Sequence, residues 1–479
     1  MKKLIAILII IFTFFNMSKA QLPTWEELGR GANALNANGV IASICSDSNG
    51  NVYAAGEFTN TAGYFYVAKW NGTEWQEVKS ATSSLNANGG ISKILIDKNG
   101  YLYAAGGFTN ASTFEYVAKW DGNEWTELGG NSGPLNANAV IRALTIDENG
   151  NMYAAGWFTD ANGKYYVAKW NGNAWNELGD LDSLNTQPPL VSEGILALCN
   201  DNTGNVFAAG GFIDTTGFYM VEWNGSNWTK INTHLFGMIF ALGADNNGNI
   251  YAGTGMNDIP PDSSEFVTIL KWDGTAWSMP GYGNTTTAVY FTQSLYIDTA
   301  NNVYAGGSYI DSNGYSCVAK LDGTTWSGLG PIYPTSALQL DTSGLSCIAL
   351  LSVYMDHSGN LYAGGQFTDS NGKFFVAKYI GDSSNIAEKV PVISGNGIHL
   401  RIYPNPANDL LNIEMDANTP NTADISLYDL YGRKMNGLQL ASAQHFSANM
   451  PVSQLPDANY FLKVNSGNSS IVRVVTISH

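Results

Sequence analysis

Catalysis in this sequence would have to rest on carboxylates. The five histidines, His234, His357, His399, His445 and His479, share no recurring position, and neither HExxH nor GxSxG occurs. The zinc-protease and serine-nucleophile constellations therefore have no residues to form from. Glu115, Asp258, Asp262 and Glu265 fall in stretches whose length varies along the chain. Two such acids facing each other across a sugar ring would be the machinery of glycoside hydrolysis, against the plainer reading of solvated loop acids. Arg30 and Arg142 are the only arginines between residues 22 and 382, too few for a site built on an arginine cluster.

Two further polar motifs recur. Asp-x-x-Gly-Asn, as at Asp47, Asp147, Asp245 and Asp356, suggests calcium, but an ion needs about six oxygens and each copy brings one carboxylate. The same letters describe a hairpin turn, with Asp capping the backbone and Gly taking positive φ, and the turn is the expectation; no metal and no cofactor is expected. Leu-Asn-Ala-Asn supplies Asn36, Asn38, Asn86, Asn88, Asn136 and Asn138. Amides offer both donors and acceptors to a hydroxyl-rich ligand, or they satisfy backbone groups locally.

These motifs sit inside a repeat. Tyr53, Tyr103, Tyr153, Phe207, Tyr251, Tyr304 and Tyr362 mark successive copies of one unit of about fifty residues. Each copy reads as four short strands (VIASICSD, NVYAAGEF, YFYVAKW and EWQEV in the first) separated by Gly, Asn, Asp and Thr. Four strands per repeat predict an all-β, seven-bladed β-propeller. Ala54, Ala55 and Gly56 suit the crowded inner positions, and Trp70 and Trp75 the wider space between blades. A fourth-strand copy, TWEELG, precedes the first full unit, while the last unit ends VAKYIGDSS without one. The ring should close 1+3, with the N-terminal strand completing the last blade and leaving no open edge.

In that topology the Asp-x-x-Gly-Asn and Asn-Gly-Thr-Glu turns share one face and keep their length. The opposite face carries the links bearing the six asparagines, and the variable stretches 179–194, 254–266 and 330–344, so function is expected there.

At the start, Lys2 and Lys3, an apolar run from Leu4 to Phe15, and Ser18-Lys19-Ala20 describe a signal peptide cleaved between Ala20 and Gln21. The run is too short to span a bilayer, and no later segment reads as a transmembrane helix. The formal charge is −17, and loss of the three leader lysines makes the remainder more acidic still. No basic face offers itself to nucleic acid. Cys45 and Cys199 occupy matching first-strand positions and read as small buried apolar residues; Cys317 and Cys347 leave a bridge between adjacent blades open.

After a linker at 383–397, residues 398–479 show short alternating runs that suit a small Ig-like β-sandwich. IYPNPANDLLNIE, LYDLYGRKM, VSQLPDANYFLKV and the closing IVRVV resemble, in order, the type A (Por) C-terminal sorting domain of the Bacteroidota type IX secretion system. The resemblance implies export through the outer membrane, with the secretion machinery and a sortase-like protease as partners, and release or attachment at the cell surface. Residues 22–382 resemble kelch-like propellers of bacterial surface proteins, which implies fold far more than activity. The expectation is a secreted or surface-attached monomer that binds a glycan or protein and is not an enzyme. The alternative is a carbohydrate-active hydrolase or lyase.

Overall fold

The computed structural model describes residues 25–130, 132–179, 181, 194–214, 217–235, 237–255, 269–281, 288–310, 317–323, 325–332, 350–369, 371–381, 398–403, 407–428, 434–456, 458–466 and 469–477. The leader with Ala20 and Gln21, the linker, most of the three variable stretches, Cys347, Asp258, Asp262 and Glu265 lie outside these residues. So does the side chain of Cys317.

The first blade is an antiparallel sheet of Ile41–Ser46, Val52–Gly56, Ala68–Trp70 and Trp75–Glu77. Its register sets Cys45 against Tyr53, Ala54 against Ala68 and Trp70 against Trp75. The second blade repeats it with Leu95 against Tyr103, Ala104 against Ala118 and Trp120 against Trp125. Seven such sheets form the propeller. The second strands, rich in Val, Tyr and Ala, are buried along their whole length in the first five blades and the last. The glycine that ends them is forced by proximity: a Cβ on Gly56 would lie 2.0 Å from the Val40 carbonyl oxygen.

The ring closes as the sequence indicated. Trp25–Glu27 pairs with Ala377–Tyr379 and so becomes the fourth strand of the last blade. Indole N–H groups then tie each blade to its neighbour. The Nε1 atoms of Trp25, Trp75, Trp125, Trp175, Trp228 and Trp326 donate to the backbone oxygens of Leu329, Leu28, Val78, Leu128, Leu178 and Pro280, at 2.6–3.1 Å. The indole of Trp277 is the exception, its buried Nε1 having no partner. The carbonyl expected there belongs to Ile231, and the outer strand carrying it continues from Trp228 to Leu235 rather than stopping after three residues.

One element differs from the sequence reading. YFYVAKW contributes only Ala68–Trp70 as strand, because Phe65 leaves the blade and makes bridges to Thr59 and to Ala87 of the next link. Ala37 pairs in the same way with Phe374, and Ala137 with Glu115. No α-helix occurs among the described residues, only a 3-10 turn at Gly31–Asn33.

The C-terminal unit is a five-stranded antiparallel arrangement built on one long strand, Leu410–Tyr428. Its first half pairs with Ile398–Tyr403 and its second with Ala458–Ser466, while Lys434–Pro451 follows it along both. Register breaks between Asp416 and Ala423 let the strand turn over. Leu411 and Ile413 from one half then share a core with Ile425 and Leu427 from the other, giving a sandwich-like fold.

Candidate functional site

A channel of about 400 Å³ runs along the propeller axis, lined by the first strands of all seven blades. A β-bulge sits in each of these strands, seen as a register shift between Ile41 and Ser43, Ile91 and Lys93, Ile141 and Ala143, and likewise in the other four. The extra residue re-aims one side chain. Ala42, Ser92, Arg142, Leu196, Phe240, Gln293 and Leu351 are these extra residues, and all seven line the channel.

The ring they form has two unlike halves. Blades 1 to 3 contribute Ser92, Lys93 and Arg142, with Glu57 and Trp157 from second-strand ends; blades 4 to 7 contribute mainly Leu196, Phe240, Gln293 and Leu351. The Arg142 guanidinium stands 5.3 Å from the Trp157 ring centre, and the ring remains 41% exposed, so a cation–π contact fixes the arginine at the rim. Glycines make room for the large rim groups. A Cβ on Gly90 would strike the Glu57 carboxylate, and one on Gly194 would meet Trp157.

Lys93 occupies a position that is Ser43, Ala143, Ala197, Ala241, Ser294 or Ser352 in the other blades. It keeps contact with channel water but has protein on every side. That enclosure lowers its ammonium pKa, and the neighbouring Cys45 thiol opposes the shift. Cys45 and Cys199 are free and buried, and burial pushes both thiols up, out of the range where they would be reactive. The buried amide oxygen of Gln293 has no hydrogen-bond partner.

The asparagines singled out from the sequence lie on the links, and none of the six lines the channel. Asn36, Asn86 and Asn136 are exposed and left-handed, with φ of 50°, 46° and 50°. Asn38 is doubly engaged: its Oδ1 accepts from the Thr59 N–H at 2.8 Å and its Nδ2 donates to Thr59 Oγ1 at 3.0 Å. Asn88 and Asn138 bind Thr109 and Thr159 identically. Glu115 also stays on its loop, its backbone paired with Ala137 and its carboxyl pKa raised by burial. What the sequence reading missed was Glu57, Lys93 and Trp157, with Arg142 noted only as a rarity. The available signal was a break in the repeat: Lys93 replaces a small residue, and Trp157 and Glu57 stand where Gly107 and Gly211 stand elsewhere.

The Asp-x-x-Gly-Asn motif forms turns. Asp47 Oδ1 accepts from the N–H groups of Asn49 and Asn51, and Oδ2 from Asn51 Nδ2 and the Tyr53 hydroxyl. Burial raises the Asp47 pKa, but these four hydrogen bonds outweigh it and the net shift is downward. The same turn recurs at Asp356, with Tyr362 in place of Tyr53. Each carboxylate is thus committed to its own turn. Among the described residues no group of three or more His, Cys, Asp or Glu is placed to hold a metal.

A ring of four-stranded blades with a walled channel defines a β-propeller, here joined to a second all-β unit. Residues 401–478 match the family described as the secretion system C-terminal sorting domain. The chain is therefore a type IX secretion cargo, exported and located at the cell surface or released. No helix among the described residues is long and apolar enough to cross a membrane. No curated protein matches the sequence. Among solved structures, PorZ, an essential surface component of the type IX system of Porphyromonas gingivalis, is 13% identical with a TM-score of 0.45 over 94% of this chain and 60% of its own. This chain thus spans less than two thirds of PorZ. YCF48 bound to D1 peptide is 12% identical with a TM-score of 0.47, covering 77% of this chain and 97% of its own. A polysaccharide lyase of family PL25, an ulvan lyase, is 12% identical with a TM-score of 0.34, covering 63% and 86%.

Proposed function

We propose that the exported protein is a binding module that takes a glycan at the channel mouth, on the face of the blade-to-blade links. The observation that carries this reading is the ring of bulge residues. The strands behind them repeat almost letter for letter, while the seven residues turned into the channel run Ala, Ser, Arg, Leu, Phe, Gln, Leu. A rigid repeated frame presenting one dissimilar set of side chains is how propellers and other scaffolds carry specificity. A sugar suits this lining, since it offers hydroxyls to Ser92 and Gln293 and an apolar face to Trp157 or Phe240. The volume falls within the usual range of small-ligand pockets, about 300 to 1,000 Å³.

The second reading is a carbohydrate lyase, favoured by Lys93, an amine that faces the channel and whose pKa is shifted downward, the direction that makes a lysine a more available base. Glycan-array binding by the exported protein, repeated with Trp157→Ala, tests the first reading. Binding to no glycan, or binding indifferent to Trp157, refutes it. Appearance of unsaturated sugar products would move the assignment to the lyase.

A further inference from the structure

The charge inside the channel runs against that of the molecule. The chain carries a formal charge of −17, yet the two basic side chains of the channel wall, Lys93 and Arg142, stand on adjacent first strands, one residue apart in register. Arg142 is the extra residue of its bulge, and Lys93 immediately follows Ser92, the extra residue of the preceding blade. The single carboxylate of the described lining, Glu57, is seated against Gly90 at the rim.

Lys93 has no hydrogen bond or ion pair among the described residues. Its side chain is open to the channel rather than packed in the wall, so it is available to a molecule that enters. Six blades place a serine or alanine at the same point. The arrangement becomes reasonable when an anion enters the channel and supplies the missing charge. The surrounding walls focus the field of the two cations on such a molecule.

Resting on the glycan reading above, we propose that the ligand is an acidic saccharide whose carboxylate is held between Lys93 and Arg142. Its sugar ring lies against Trp157 and its hydroxyls reach Ser92 and the amide oxygen of Gln293. A peptide carboxylate meets the same two charges, but the Trp157 ring and the hydroxyl of Ser92 favour the saccharide. The orphaned Gln293 oxygen asks for an isolated donor such as a hydroxyl.

The test uses the purified exported protein and isothermal titration with three probes: trigalacturonate, its methyl ester and triglutamate. Trigalacturonate is expected to bind at least tenfold more tightly than its ester, and Lys93→Met and Arg142→Gln are each expected to weaken it by tenfold or more. Thermal melting checks that both variants are folded. Equal binding of acid and ester, or binding unchanged in Lys93→Met, overturns the anion site and leaves the glycan reading standing. Triglutamate binding as tightly as trigalacturonate through the same two residues overturns the saccharide assignment. If none of the three binds the parent protein, the inference is wrong.

Discussion

Trp25 and Tyr379 close the ring. They face each other at one end of a three-residue ladder, with Glu26 against Lys378 and Glu27 against Ala377, and their rings lie 5.0 Å apart at 57°. Trp25 is wholly buried, and its indole N–H continues the contact into the next blade at Leu329. Removing residues 22–29 would expose one blade edge and sever the indole bonds on both sides of it. A fall in melting temperature well beyond the roughly 2 to 4 °C that 1 kcal/mol produces in domains of this size is expected. A shift within about 2 °C on deletion would show that closure does not hold the ring.

The indole bonds can be weighed against each other within one molecule. Trp125→Phe removes a partnered N–H and leaves the Val78 oxygen without its donor, which should cost about 1 to 3 kcal/mol. Trp277→Phe removes a buried N–H that had no partner and should cost clearly less than its counterpart, or stabilise. Chemical denaturation of both variants decides; equal losses would mean that ring size alone matters.

Asn36, Asn86 and Asn136 separate backbone from recognition. Their left-handed φ values are ones that alanine adopts with strain of about 1 to 2 kcal/mol and glycine adopts freely. The triple change to alanine should lower the melting temperature, and the triple change to glycine should largely restore it. Glycan binding that tracks the amides in the glycine variant, rather than the melt, would move the ligand site from the channel to the links.

Asp47→Ala should cost about 1 to 3 kcal/mol at neutral pH, since four donors lose their acceptor. The folded-state pKa of Asp47 is lowered, so its contribution is complete above the unfolded carboxylate value of about 3.9 and is lost as pH falls through the folded value. The stability gap between parent and variant should therefore narrow on acidification. A gap that widens below about pH 4 would contradict the assignment.

Lys93 has the opposite sign. Its folded-state pKa is lowered, so the ammonium opposes folding at low and neutral pH, and the penalty is relieved as pH rises from the folded value toward the unfolded value of about 10.4. Lys93→Met is expected to melt no lower than the parent at pH 7, with any advantage shrinking in alkaline buffer. A lower melting temperature for the variant at neutral pH would show that the amine has a stabilising partner.

The sequence by itself determined the period, the four strands of each blade, the closing strand at Trp25 and the sorting domain, because these depend on local letters repeated in order. Turn chemistry at Asp47 and burial of the small residues after Tyr53 were legible for the same reason. Two things were decided only by tertiary structure. The first is which side chains face the channel: a bulge adds one residue to each first strand, so the alternation of a regular strand points Arg142 and Phe240 the wrong way. The second is the company they keep. Glu57, Lys93 and Arg142 belong to three different blades and share one mouth only because closure of the ring brings every first strand to the axis, where surrounding walls, and not sequence neighbours, shift the amine's pKa downward.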